Sequence, residues 1–170
     1  LGPTNFNLIA PTLKAETVAF MSKGIFCRAD HPLIKKANVS PSDLEAQVWI
    51  GHGRSSVIAR EMSSDLFAAG VRNINMAVES VSVSIMIALL ETTDYLAYLP
   101  LYLMRDAFRR GTIDHLLFDG QPSQTPFGFI YPERSENDPT ILGFKEITGA
   151  HLKSAEQEVS ERMTARRDAN

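Results

Sequence analysis

The fold class this sequence predicts is α/β with a mainly parallel sheet, and three observations carry that prediction. Strand-like and helix-like segments alternate along the chain. Three strand–helix units follow one another between residues 47 and 110. Of the 170 residues, 44% are hydrophobic and 22% charged, which is the make-up of a folded chain able to bury a core. The length fits one domain or two small lobes that share a core.

Taken in order, residues 6–10 and 24–28 read as short apolar strands, the second followed by the polar loop Ala29-Asp30-His31-Pro32. Ser40-Pro41-Ser42-Asp43 places a hydroxyl at the cap, a proline at the first helical position and an acid at the third, so a short helix starts there. Residues 47–50 form the next strand. After Gly51-His52-Gly53-Arg54-Ser55-Ser56, the spacing of Ile58, Met62, Leu66 and Ala69 predicts a helix that Gly70 terminates. Ile74, Met76 and Val78 alternate with Asn73, Asn75 and Ala77, as in a strand with one face in the core.

Ser80 or Ser82 then caps a helix over 81–90 that is apolar on nearly every side and is expected to be buried between the sheet and another layer. Thr92-Thr93-Asp94 breaks it, residues 95–99 form a strand, and Pro100 opens a helix to about Arg110 with Gly111 after it. Residues 113–118 and 127–131 supply two more strands. Asp138-Pro139 begins a last helix with Ile141, Phe144, Ile147 and Leu152 inward. Past Ser154 the chain turns polar, Glu158 and Arg162 fall one turn apart, and the final residues are expected to fray.

Charge and composition narrow the function. Lys and Arg number 17 against 20 Asp and Glu, a net charge of −3, with no basic stripe of the kind that grips a phosphate backbone. The longest apolar run, 81–90, is interrupted by Ser82 and Ser84, and its roughly ten residues fall short of the ~20 that cross a bilayer. A single cysteine, Cys27, allows no internal disulfide and fits a reducing compartment, so the cytoplasm is expected. The first residues are Leu1-Gly2-Pro3 rather than Met, and a processed chain or a piece of a longer one is expected.

In open parallel sheets ligands bind outside the carboxyl ends of the strands, which directs attention to the turn after each strand. In the turn after residue 50, Gly51 and Gly53 let backbone approach a ligand. Ser55 and Ser56 stand at a helix N-terminus that attracts an anion, and Arg54 adds a bidentate donor. Capping serines and a solvated arginine explain the same residues about equally well. His52 reads as a loop histidine. Glu79-Ser80-Val81-Ser82 is a second such turn, with Ser80 and Ser82 offering hydroxyls, and capping accounts for it about as well. Thr92-Thr93-Asp94-Tyr95 precedes a strand, so by position Thr93 belongs to a helix-ending turn. No catalytic set emerges: Cys27 and His31 lack a third orienting residue, and His31, His52, His115 and His151 are scattered without ligand spacing. There is no phosphate-binding glycine motif, since Gly51-His52-Gly53 lacks the third glycine. Binding is favoured over catalysis, without metal or cofactor.

As a set, Phe26-Cys27-Arg28-Ala29-Asp30-His31-Pro32-Leu33, Val39-Ser40-Pro41-Ser42-Asp43-Leu44 and Val48-Trp49-Ile50 resemble the effector-binding domain of LysR-type transcriptional regulators. Ala97-Tyr98-Leu99-Pro100 resembles its short strand ending in Leu-Pro, and Phe127-Gly128-Phe129-Ile130-Tyr131 its strand returning to the first lobe, with 139–144 as its closing helix. The resemblance runs over residues 8–152. It implies a two-lobed, type 2 periplasmic-binding-protein-like fold whose first lobe is incomplete at the N-terminus. Residues 1–28 would be partial first lobe and crossover strand, 29–126 the second lobe, and 127–170 the return strand, closing helix and polar tail.

The resemblance further implies a cytoplasmic homodimer or homotetramer that senses a small-molecule effector between its lobes and regulates transcription. DNA would be bound through an N-terminal helix-turn-helix lying outside this stretch, with RNA polymerase as a further partner. The turn 51–56 would carry the effector contact, so Arg54, Ser55 and Ser56, with His52 and Gly53, come first, then Ser80 and Ser82, then Thr93, where Thr92-Thr93-Asp94-Tyr95 replaces the glycine-rich turn of many members. An anion such as an aromatic or sugar acid fits, and so does a neutral sugar. The alternative of another class is an extracytoplasmic solute-binding protein of the same fold. An enzyme ranks third and would need an exposed Cys27 with a depressed pKa.

Overall fold

The structure is a computed structural model that describes residues 10, 12–36, 38–118 and 124–169. Two sheets organise it. Strand β1 (Leu13–Met21) pairs antiparallel with β7 (Thr125–Pro132) in a two-stranded ribbon. Strands β2 (Lys23–Arg28), β3 (Val48–Gly51), β4 (Asn75–Glu79), β5 (Leu96–Pro100) and β6 (Ile113–His115) form a five-stranded sheet in the order β4-β3-β5-β2-β6. The helices are α1 (Pro41–Glu45), α2 (Val57–Ala68), α3 (Val83–Thr92), α4 (Arg105–Arg110) and α5 (Pro139–Ala169).

The central strands are buried on both faces, which is why they read as nearly continuous apolar runs. Ile25 and Cys27 of β2, Trp49 of β3, and Leu96 and Tyr98 of β5 face one core together with Met62 and Leu66 of α2. The alternate residues Phe26, Ile50, Ala97 and Leu99 face a second core with Met86 and Leu90 of α3, Met104, Phe108 of α4 and Val159 of α5. Period-two alternation thus divides each strand between two layers. At α1, Ser40 and Asp43 form the reciprocal cap that the Ser-Pro-Ser-Asp motif promises, and the Trp49 indole N–H donates to the Leu44 carbonyl at 3.0 Å. Gly70 follows α2 with φ of 96°, a left-handed conformation that glycine adopts without strain.

Several expectations need correction. The sheet is mixed: β3 runs parallel to β4 and β5, whereas β2 runs antiparallel to both β5 and β6. The strand 24–28 lies inside the five-stranded sheet, and the strand opposite 127–131 is β1. Residues 6–9 of the first expected strand lie outside the described residues, and Ala10 is not in a strand.

Helix α3 starts at Val83, leaving Val81 outside it and 90% exposed, and is not buried all round, since Ile85 lies largely in solvent; only Met86 and Leu90 are fully inside. The helix expected from Pro100 is a 3-10 turn (Leu101–Met104) leading into α4. In α5, Leu152 faces inward as expected, but Phe144 and Ile147 are exposed, because the two-stranded ribbon is too narrow to cover that stretch of helix. Past Ser154 α5 continues and buries Ala155 and Val159, and the final residues expected to fray are helical to Ala169.

Candidate functional site

The parallel strands β3, β4 and β5 end at Gly51, Glu79 and Pro100 on the same edge of the sheet. That edge faces the junction with the ribbon, since Pro100 is registered against Lys23 at the start of β2 and the Leu101 N–H donates to the Ser22 carbonyl at 3.0 Å. Ser22 is the residue between β1 and β2. The turns after β3 and β4 therefore lie side by side on the edge where an α/β sheet receives its ligand. They are tied by the Ser80 N–H donating to the Gly51 carbonyl at 2.9 Å.

Within this pair of turns Ser56 caps α2, its Oγ accepting from the Ala59 N–H at 3.0 Å, and Ser82 caps α3 by accepting from the Ile85 N–H at 3.5 Å. Ser80 Oγ accepts from the Ser82 N–H at 3.0 Å. Ser55 is exposed. Arg54 is 85% exposed along its side chain, yet its Nε donates to Glu79 Oε1 at 2.8 Å and its backbone N–H to Oε2 at 3.2 Å. These contacts from the guanidinium, then from the N–H, hold the Glu79 carboxyl below its ordinary value. Glu79 joins the candidate site through this contact, which no local sequence pattern signals. A ligand anion would meet an arginine already paired rather than a bare cation.

His52, Gly53, Arg54, Ser55, Ser56, Ser80 and Ser82 thus come together, and Thr93 does not. Thr93 precedes β5, at the opposite edge, a strand length of roughly 16 Å away at about 3.3 Å per residue. There its Oγ1 donates to the Leu89 carbonyl at 2.7 Å and accepts from the Tyr95 N–H at 3.2 Å, closing α3. His52 is half-buried beside a groove of about 450 Å³ that also has Met62, Ile74 and Met76 in its wall. Burial pushes its imidazole pKa down, and its Nε2 has no hydrogen bond among the described residues.

A second hollow, of about 480 Å³, lies where β2 meets the ribbon and includes Lys23, Asp65, Tyr98 and His115 in its wall. Lys23 is only 3% exposed; its ammonium donates to Glu61 Oε2 at 2.7 Å and Thr125 Oγ1 at 2.6 Å. Cys27 is buried, and the His31 ring serves local structure: Nδ1 accepts from the Leu33 N–H at 3.1 Å, so Nε2 carries the proton toward the Asp94 carbonyl at 3.2 Å. Among the described residues, no three His, Cys, Asp or Glu side chains converge as metal ligands would, and no helix is long and apolar enough to cross a membrane.

Comparison with known proteins follows the same line. Residues 11–153 match the family model described as the LysR substrate binding domain. No curated protein sequence matches the chain. Among solved structures, the regulatory domain of MetR, a LysR family regulator from N. meningitidis, superposes with a TM-score of 0.62 at 15% identity, covering 86% of this chain and 69% of that one. HinK, a LysR family transcriptional regulator from Pseudomonas aeruginosa, gives 0.66 at 15%, covering 85% and 50%. The CcmR regulatory domain of Synechocystis, solved in complex with 2-PG, gives 0.67 at 16%, covering 83% and 67%. At such identities the likeness is one of fold, and the chain spans between half and about two thirds of these proteins.

Proposed function

The chain belongs to the LysR substrate-binding domain family, with its type 2 periplasmic-binding-protein-like fold, and from that premise we propose that it senses a small-molecule effector for a DNA-binding transcription factor. The family is one of transcriptional regulator domains and not an enzyme class. The observation that carries the proposal is the pair of turns, 51–56 and 79–82, tied together on the strand-end edge that faces the ribbon. In this reading the five-stranded sheet is the second lobe, the ribbon with the first half of α5 belongs to the first, and the effector lies between them. Arg54, Ser55, Ser56, Ser80 and Ser82 contact it, with Glu79 setting the charge that it meets. The CcmR regulatory domain, solved in complex with 2-PG, supports a small molecule as ligand, and Arg54 with the two helix N-termini favours an acid.

An effector acts only by its differential affinity for two lobe arrangements, which dimer or tetramer geometry relays to DNA through a helix-turn-helix elsewhere in the protein, and then to RNA polymerase. The cytoplasm is the compartment this role requires, and catalysis has no part in it. The coding sequence upstream of this stretch tests the role: a helix-turn-helix is the expected finding. A cleavable signal peptide there would overturn it in favour of an extracytoplasmic solute-binding protein.

A further inference from the structure

Helix α5 has 31 residues, a rod of roughly 46 Å at 1.5 Å per residue, and it packs against β1 of the ribbon and against α4 and the 101–104 turn beside the five-stranded sheet. Its first half lies on the ribbon. The Phe144 ring meets Phe129 edge to face at 5.3 Å, Lys145 Nζ donates to Glu16 Oε2 at 2.6 Å, and Leu152 packs with Ala19 and Met21. Its second half lies on the five-stranded sheet's α3–α4 side. Val159 is fully buried beside Met104 and Phe108, and the Arg162 Nη1 donates to the Phe108 carbonyl at 3.0 Å. Arg109 of α4 grips Glu158 with two parallel hydrogen bonds of 2.7 and 2.6 Å.

Between the halves the helix contacts the link between β1 and β2. Glu156 Oε1 accepts from the backbone N–H of Ser22, the link between β1 and β2, at 2.6 Å. The other oxygen, Oε2, is buried without a hydrogen bond among the described residues, and burial pushes the carboxyl above its ordinary value. A carboxylate is costly to place so far from water, and a main-chain contact at the one link between two strands gives the placement a mechanical meaning.

We propose that α5 is a strap that sets the angle between ribbon and sheet, fastened at the hinge by Glu156 on Ser22 and beyond it by Glu158 on Arg109. An unbroken helix is a stiff rod, so turning the sheet against the ribbon requires one end to let go. Leu152 and Val159 hold the two ends in cores, and the Arg109–Glu158 pair, which reaches solvent, is the charged fastener whose release loosens the sheet side. The inference stands apart from the identity of the effector and from where it binds.

Spin labels on Thr17→Cys in β1 and Ser64→Cys in α2, both exposed positions, report the angle by pulsed dipolar spectroscopy on the full chain, buried Cys27 remaining unlabelled. The expected result is one narrow distance distribution in the parent. It broadens in Arg109→Ala and in Glu158→Ala, and stays narrower in Arg109→Lys, which keeps a cation between Asp106 and Glu158. Both positions reach solvent, so these variants fold. Parent-like distributions in both alanine variants, or broadening in Arg109→Lys equal to that in Arg109→Ala, would overturn the strap.

Discussion

Arg54 and Glu79 stand 25 positions apart in the chain and meet at 2.8 Å, and this contact decides what the candidate site offers. The caps at Ser40, Ser56 and Ser82 were legible in the sequence because a cap is a local event, settled within three residues. Glu79 was not, because its partner lies across the sheet edge. Thr93 misleads for a related reason, since a Thr-Thr-Asp turn looks alike at either end of a strand. With both partners exposed, the ion pair adds little to stability. Arg54→Ala is therefore expected to leave the melting temperature within a degree or so while weakening effector binding about tenfold or more, the loss of one charge-assisted hydrogen bond. Titration calorimetry on the variant reads this directly, and an unchanged dissociation constant would remove Arg54 from the site.

His31 gives a pH dependence whose sign can be worked out. Burial, opposed by the Asp94 carbonyl, holds its imidazole below the ordinary 6.5, and the neutral ring is needed for Nδ1 to accept from Leu33. Its contribution is complete above pH 6.5 and is lost as the pH falls through the lower folded value. Urea unfolding on either side of that pH should show the weaker fold on the acid side. The difference should shrink, though not vanish, in His31→Asn, because half-buried His52 is shifted the same way.

At the level of elements, strands with apolar runs and helices with caps were legible, and β1 was not. Leu-Lys-Ala-Glu-Thr-Val-Ala-Phe-Met carries Lys14, Ala15, Glu16 and Ala19, residues poor in strands by propensity, so its conformation comes from pairing with β7. Gly128 makes the pairing close: a methyl group there would run into the Glu16 carbonyl and the Thr17 Cα. Gly128→Ala is expected to cost roughly 2 kcal/mol, the scale of overpacking, and to loosen the ribbon first. Hydrogen exchange should rise along β1 and β7 while the amides of β3 and β5 keep their protection. A ribbon exchanging as in the parent would mean that the two strands separate freely at this point. Helix α3 failed the opposite way. Its apolar composition predicts burial, but burial is decided by what lies opposite, and Val81, just before it, and Ile85 are exposed.

On the scale of the whole molecule, two sheets meet at Ser22, α5 runs past that junction, and the strand-end turns look toward it. The α/β class and the order of the strand–helix units were readable from periodicity, which records the faces that each element buries. The mixed sheet was not, because strand direction is a property of the partner. The central claim is that the effector binds on the edge formed by the turns 51–56 and 79–82. The measurement that tests it most directly is amide chemical-shift mapping of the isotope-labelled chain, titrated with a small acid selected by thermal shift. The largest changes are expected at Gly53, Arg54, Ser56, Ser80 and Ser82, with Thr93 at the far edge unmoved. Shifts that gather around Thr93 or in the hollow at Lys23, with the two turns silent, would contradict it.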